Sequence, residues 1–212
     1  MPELTDTPTK KIYYDPISVA KRTKQIVYFV GQHDKPGMLE EILKNIGIKQ
    51  TIIITKSKRS ADELSDYLKS KEMKATAIHG NHRAQQLEDA AKAFNEATLN
   101  ILVTTDMILQ SLELTNIQLI INYDLPNEPH NYLTRIGYLK EIGESIALVS
   151  PEDDKLLVSI ELVMKAEIDE GEVEGFTPTS HSDADKTQKQ RKKPRHRKNK
   201  AKKERKVKEE NS

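Results

Sequence analysis

Between residues 25 and 168, short β-branched apolar runs alternate with longer stretches in which apolar residues recur every three or four positions. The runs at 26–30, 51–55, 75–78, 101–104, 119–122 and 145–149 predict strands. Amphipathic stretches lie between them. Ala61, Leu64 and Leu68 share one helical face, as do Leu87, Ala90, Ala91 and Phe94. Further helices are predicted at 38–44 and 129–133, and Leu156, Ile160, Val163 and Met164 line a last one. The run Thr51-Ile52-Ile53-Ile54-Thr55 is apolar without alternation, as a strand covered on both faces must be. Strand and helix in regular alternation predict one three-layer α/β/α domain with a mostly parallel sheet and right-handed crossovers. Ligands in such a sheet bind beyond the carboxyl ends of the strands, in the loops after Thr55, Ile78, Thr104 and Asn122.

Outside that block the pattern fails. Residues 1–24, with Pro2, Pro8 and Pro16 spaced through them, predict an extended arm, and 169–185 an acidic, polar linker. The chain is 36% hydrophobic and 32% charged, which suits a core only if the charge is gathered elsewhere. It is gathered: residues 186–212 hold 14 Lys and Arg against three acids, a net of +11, leaving −10 on the rest. With Val207 as its single aliphatic residue larger than Ala, this tail is expected to be disordered when free. Cysteine is absent, which excludes disulfides and Cys-ligated metal. No apolar run approaches the roughly 18 residues of a membrane span. A cytoplasmic protein with no membrane partner is the expectation.

The strand-end loops carry the candidate chemistry. Lys58 and Arg59 open a helix after a strand, where two cations and free N–H groups suit a phosphate as well as they suit a solvated helix end. Gly80 follows another strand, either as a simple turn or as a place where no Cβ obstructs a phosphate. Four histidines (His33, His79, His82 and His130) lie in loops with no close acidic partner in sequence, so no metal site is expected. There is no Gly-Lys-Ser/Thr phosphate loop; Gly31 to Gly37 reads as a strand-to-helix turn.

Taken in order, Thr55–Leu64, His79-Gly80-Asn81, Thr104-Thr105-Asp106, Asn122-Tyr123-Asp124-Leu125-Pro126 and Arg135-Ile136-Gly137 resemble the C-terminal RecA-like domain of the DEAD-box RNA helicases, a superfamily 2 group. The likeness covers about residues 14–168. It implies RNA contact at Lys58, Arg59, Gly80 and Thr105, and nucleotide contact, in vestigial form, at Glu113 and Arg135. It also shows departures. The family's Arg-Gly-Leu-Asp is here Gln110-Ser111-Leu112-Glu113, and its His-Arg-Ile-Gly-Arg-Thr-Gly-Arg runs from Thr134 to Glu141. Only the first arginine, Arg135, is kept; the second is Tyr138 and the last is Glu141. An arginine finger is worth about 10³–10⁵ in rate in related phosphoryl transfers, and a carboxylate there repels the γ-phosphate. Arg135 could equally serve a structural pair with Glu113 or Asp106.

No catalytic residue is therefore assigned, and no cofactor is expected for the chain alone. ATP and Mg would be relevant only if an N-terminal RecA domain is paired with this one, and such a domain in trans is one possible partner. The expected partner is RNA, held by the loops and by the tail, whose 14 cations favour phosphate polymers without reading bases. Two other expectations are half of an active helicase completed by a second polypeptide, and a protein-interaction module in an RNA-processing or ribosome-assembly complex. An apolar patch around Tyr138, Leu139 and Ile142 would favour the latter.

Overall fold

The computed structural model describes residues 16–139 and 143–179. Residues 1–15, 140–142 and 180–212, and with them Glu141 and the basic tail, lie outside the described residues. Seven strands form one sheet: β1 Lys24–Phe29, β2 Thr51–Ile54, β3 Ala75–Ala77, β4 Ile101–Thr104, β5 Leu119–Asn122, β6 Glu144–Val149 and β7 Asp169–Glu170. Their order is β3-β4-β2-β5-β6-β1-β7, and every pairing is parallel. The helices are α1 Pro16–Arg22, α2 Lys35–Ile46, α3 Lys58–Ser70, α4 Ala84–Asn95, α5 Asp106–Leu109, α6 Pro129–Gly137 and α7 Asp154–Met164.

The apolar run of β2 explains the layering. Alternate side chains point to opposite faces, so Ile52 and Ile54 enter one core and Ile53 the other. Ile53, Val103, Ile121 and Leu148 meet Leu39 and Ile42 of α2 and Leu64 and Leu68 of α3. On the opposite face Ile52, Leu102, Ile120 and Ala147 meet Phe94, Leu133, Ile136 and Ile160. Register aligns the strand ends: Ile54 stands level with Thr104 on one side and Asn122 on the other. The loops after β2, β4 and β5 thus leave the sheet at one level, which is what makes a shared site possible.

Two boundaries differ from the sequence reading. Residues 16–22, read as part of an extended arm, form α1, with Val19 and Ala20 buried in the core shared with α6 and α7. Seven residues are too few to show a helical repeat, and packing rather than propensity holds so short a helix. Residues 169–176, read as linker, are part of the domain. Asp169 and Glu170 pair with Ile26 and Val27, and the Gly171 N–H donates to the Val27 carbonyl at 3.0 Å. Gly171 has no room for a side chain, since a Cβ there would stand 2.7 Å from both Ile26 Cγ2 and Tyr28 Cε1. Val173 and Phe176 then pack on the α2 face, and Asn45 Nδ2 donates to the Glu174 carbonyl at 2.9 Å.

A brace joins α2 to α3. Glu40 accepts from Lys44 Nζ at 2.7 Å and from the Tyr67 hydroxyl at 2.8 Å, with Lys71 Nζ at 3.3 Å. The Lys44 ammonium, then the Tyr67 hydroxyl, hold the Glu40 carboxyl down from its ordinary 4.5 to about 2. A depressed carboxyl contributes stability that is fully present above the unfolded value and lost as pH falls through the folded one. Urea unfolding of the wild type between pH 5 and pH 2 should therefore lose this contribution. Glu40→Gln should be less stable at pH 7 and show a shallower acid limb; an unchanged limb would count against the brace.

Candidate nucleic-acid interface at the strand ends

The loops after β2, β4 and β3 follow one another along the sheet edge because those strands are neighbours in the order β3-β4-β2. Thr55 is buried; its N–H donates to the Thr104 carbonyl at 3.0 Å and its hydroxyl to the Ser57 carbonyl at 3.0 Å. Ser57 is the N-cap of α3, its Oγ accepting from the Ser60 N–H at 3.1 Å. Lys58 and Arg59 are thereby set at the start of the helix, both exposed. Lys58 Nζ donates to Asn81 Oδ1 at 3.0 Å, joining the loop after β2 to the Gly80 loop. Arg59 is held by Glu63 at 2.8 Å along its own helix.

Gly80 is exposed, and a Cβ built on it would meet nothing within 4 Å. Packing does not demand glycine there, and the backbone is open to an approaching group. His79 is buried beside it, with Nε2 2.8 Å from Asp62 Oδ1. Its acidic partner, unseen in the local sequence, comes from α3, 17 residues away. Among the described residues no group of His, Cys, Asp or Glu could hold a metal ion. Gln86 serves α4, accepting the Arg83 N–H at 2.9 Å. Thr105 is half-buried at the N-cap of α5, and its hydroxyl makes no capping bond to the helix it precedes.

Arg135 stands apart from these. It is 1% exposed, and its donors are spent inside the domain. Nε and Nη2 grip the two oxygens of Asp106 at 2.6 and 2.7 Å, while Nη1 donates to Asn122 Oδ1 at 2.9 Å and the Asp124 carbonyl at 2.8 Å. Of the two partners the sequence allowed, the structure uses Asp106. Glu113 is exposed on the rim of a groove of about 580 Å³ with Leu87, Glu88, Ala91, Lys92 and Leu112. Its carbonyl accepts from Asn95 Nδ2 at 2.8 Å, which places it against the last turn of α4. Arg135 is thus committed within the domain, while Glu113, which the resemblance assigns to a nucleotide ribose, is an exposed carboxylate. Of the apolar patch expected there, Leu139 is buried, Tyr138 is half-buried and Ile142 lies outside the described residues; Met107 is 78% exposed.

Sequence reasoning missed Lys35, taken as part of a turn. It is fully buried at the start of α2, its Nζ donating to the Tyr123 carbonyl at 3.0 Å and to Asp153 Oδ2 at 3.3 Å, with Asp124 Oδ1 at 3.8 Å. Burial alone would raise the Asp153 carboxyl. The Ser150 hydroxyl and the Lys35 charge outweigh burial and hold it below the ordinary range.

A fully parallel sheet in this order, with its loops gathered at the carboxyl edge, is a RecA-like α/β domain. Residues 34–138 match the helicase conserved C-terminal domain. The chain belongs to the DEAD-box RNA helicase family, as a C-terminal RecA-like domain. It is 32% identical over 182 residues to the ATP-dependent RNA helicase eIF4A of Mycosarcoma maydis, matching 80% of this chain and 44% of that protein. The chain thus spans less than half the length of this curated relative. Its fold resembles the E. coli DEAD-box protein SrmB, solved bound to regulator of ribonuclease activity A, with a TM-score of 0.70 at 22% identity over 75% of this chain and 96% of that one. It also resembles S. cerevisiae Dbp5 bound to RNA and ADP BeF3, with a TM-score of 0.69 at 22% identity over 76% of this chain and 45% of that one. No described helix is long and apolar enough to cross a membrane.

Proposed function

We propose that this chain binds RNA along the carboxyl edge of its sheet, through Lys58, Arg59, Gly80 and Thr105, with the cationic tail adding affinity, and that it does not hydrolyse ATP by itself. The observation that carries the reading is the contact of Lys58 with Asn81, which brings the cation and the open glycine backbone of two loops together. Phosphate oxygens match both, one through charge and one through unhindered N–H groups. The bound RNA in the Dbp5 structure supports the ligand class. Against autonomous hydrolysis stand the internal commitment of Arg135 and the loss of the family's other two arginines to Tyr138 and Glu141. ATP and Mg enter only when an N-terminal RecA domain is paired with this one.

The test is RNA binding by the purified chain across a salt series, with ATP turnover followed in parallel. Lys58→Ala should weaken binding of unrelated RNA sequences alike and lower the salt slope by about 1. ATP turnover should stay at background with RNA present. RNA-stimulated hydrolysis by the chain alone would sink the non-catalytic half of the reading, and an unchanged salt slope in the variant the binding half. Exposed Met107 favours a second reading, a docking surface for another protein of an RNA-processing assembly.

A further inference from the structure

The loop that presents Lys58 and Arg59 is not held by those residues. Its backbone is fixed two residues before Lys58, where the Lys56 N–H donates to Asp124 Oδ2 at 2.9 Å. The Lys56 side chain lies 3.7 Å from Asp153 Oδ1. Both carboxylates present their other oxygens to Lys35, at 3.8 Å from Asp124 Oδ1 and 3.3 Å from Asp153 Oδ2. Each aspartate thus stands between two lysines, one buried and one at the loop. Lys35 comes from the start of α2, Asp124 from the loop after β5 and Asp153 from the turn after β6. The buried ammonium therefore joins three strand-end segments to a fourth.

The geometry points to Lys35 as a positioning residue for the RNA-facing loop. Through Asp124 and Asp153 it fixes Lys56 and Ser57, and so the cap from which Lys58 and Arg59 project. This rests on the RNA-binding reading above, while the loop geometry can be tested apart from it. Two carboxylates this close to one another need a cation between them. Without it Asp124 has reason to turn to solvent, which releases the Lys56 N–H. Lys35 makes its polar contacts with Tyr123, Asp124 and Asp153, none of them assigned to RNA, so its influence passes through the two aspartates and the Tyr123 carbonyl beside one of them. A site is effective only when its supporting shell holds it to a fraction of an ångström.

The experiment compares Lys35→Met, which keeps the stem and removes the charge, with Asp124→Ala, which removes the acceptor of Lys56 directly. Leu39→Ala serves as a control, since Leu39 is fully buried one turn further along α2 and carries neither charge nor side-chain hydrogen bond. Amide hydrogen exchange of the intact chain is measured first. Both test variants should speed exchange at Lys56 while the control leaves it protected. RNA affinity, measured below the melting transition of every variant, should fall about tenfold in both. The salt slope should drop by about 1 to 2, as Lys58 and Arg59 lose their place. A Lys35→Met/Asp124→Ala double variant should lose no more than either single one. Unchanged exchange at Lys56 in Asp124→Ala overturns the proposal even if Lys35→Met fails to fold, as does an equal loss of RNA affinity in the control. A wild type that binds no RNA would fail the binding reading instead, and the exchange data separate the two.

Discussion

Arg135→Ala is expected to destabilise the domain by about 1–3 kcal/mol for each buried acceptor it leaves unpaired, Asp106 itself being a third exposed. Four hydrogen bonds converge on this guanidinium, two of them bidentate to Asp106 and one to the buried side-chain oxygen of Asn122. Truncation leaves Asn122 Oδ1 and the Asp124 carbonyl unpaired in a place water does not reach, and unpaired buried groups lose their full desolvation. It also frees Asp106, the first residue of α5, next to Thr105. Arg135→Lys should recover only part of the loss, because an ammonium cannot span both Asp106 oxygens and Asn122 at once. Urea unfolding of the intact chain at pH 7 checks this. A change below about 1 kcal/mol for Arg135→Ala would show that the network is peripheral. That outcome would also return Arg135 to candidacy as a nucleotide ligand.

Removing the cationic tail should produce the largest change in RNA binding. Residues 1–185 carry a net charge of −10, which repels a polyanion at long range, while residues 186–212 carry +11. Each single-strand phosphate neutralised adds about 0.7 to the slope of log affinity against log salt. If half of the tail's 14 cations engage, the slope falls by about 5 on truncation, so the affinity lost grows about 10⁵-fold for each tenfold fall in salt. The structure also fixes where to cut. Val173 and Phe176 are packed against the core, so a chain ending at 175 would mix loss of folding with loss of binding. Ending it after Thr179 removes only residues outside the described domain. Equal affinity and equal slope in the two chains would refute the tail's role.

Residues 16–22 and 169–176 show why the sequence stopped short at both ends of the domain. Neither has a repeat long enough to read, and both are held by partners already folded: α6 and α7 for one, β1 and α2 for the other. The rest of the architecture was legible because it rests on local period. Unbroken β-branched runs such as Ile52-Ile53-Ile54 require cover on both faces, and their alternation with amphipathic stretches leaves a parallel sheet as the simple solution. The order of the strand-end blocks likewise placed Lys58, Gly80 and Thr105 on one edge before any coordinate was known.

Which charged groups meet is a different kind of information. Lys35 reads as a turn residue, yet its partners lie 88 and 118 positions away, and Arg135 chooses Asp106, 29 positions back. His79 finds Asp62 on a helix of another layer. Patterns of apolar residues are set by each segment's own geometry, so the chain alone determines the sheet, its layers and its functional edge. Ion pairs depend on ångström distances between segments far apart in sequence. Only the tertiary structure could turn the retained arginine inward and place a buried lysine behind the loop that carries Lys58 and Arg59.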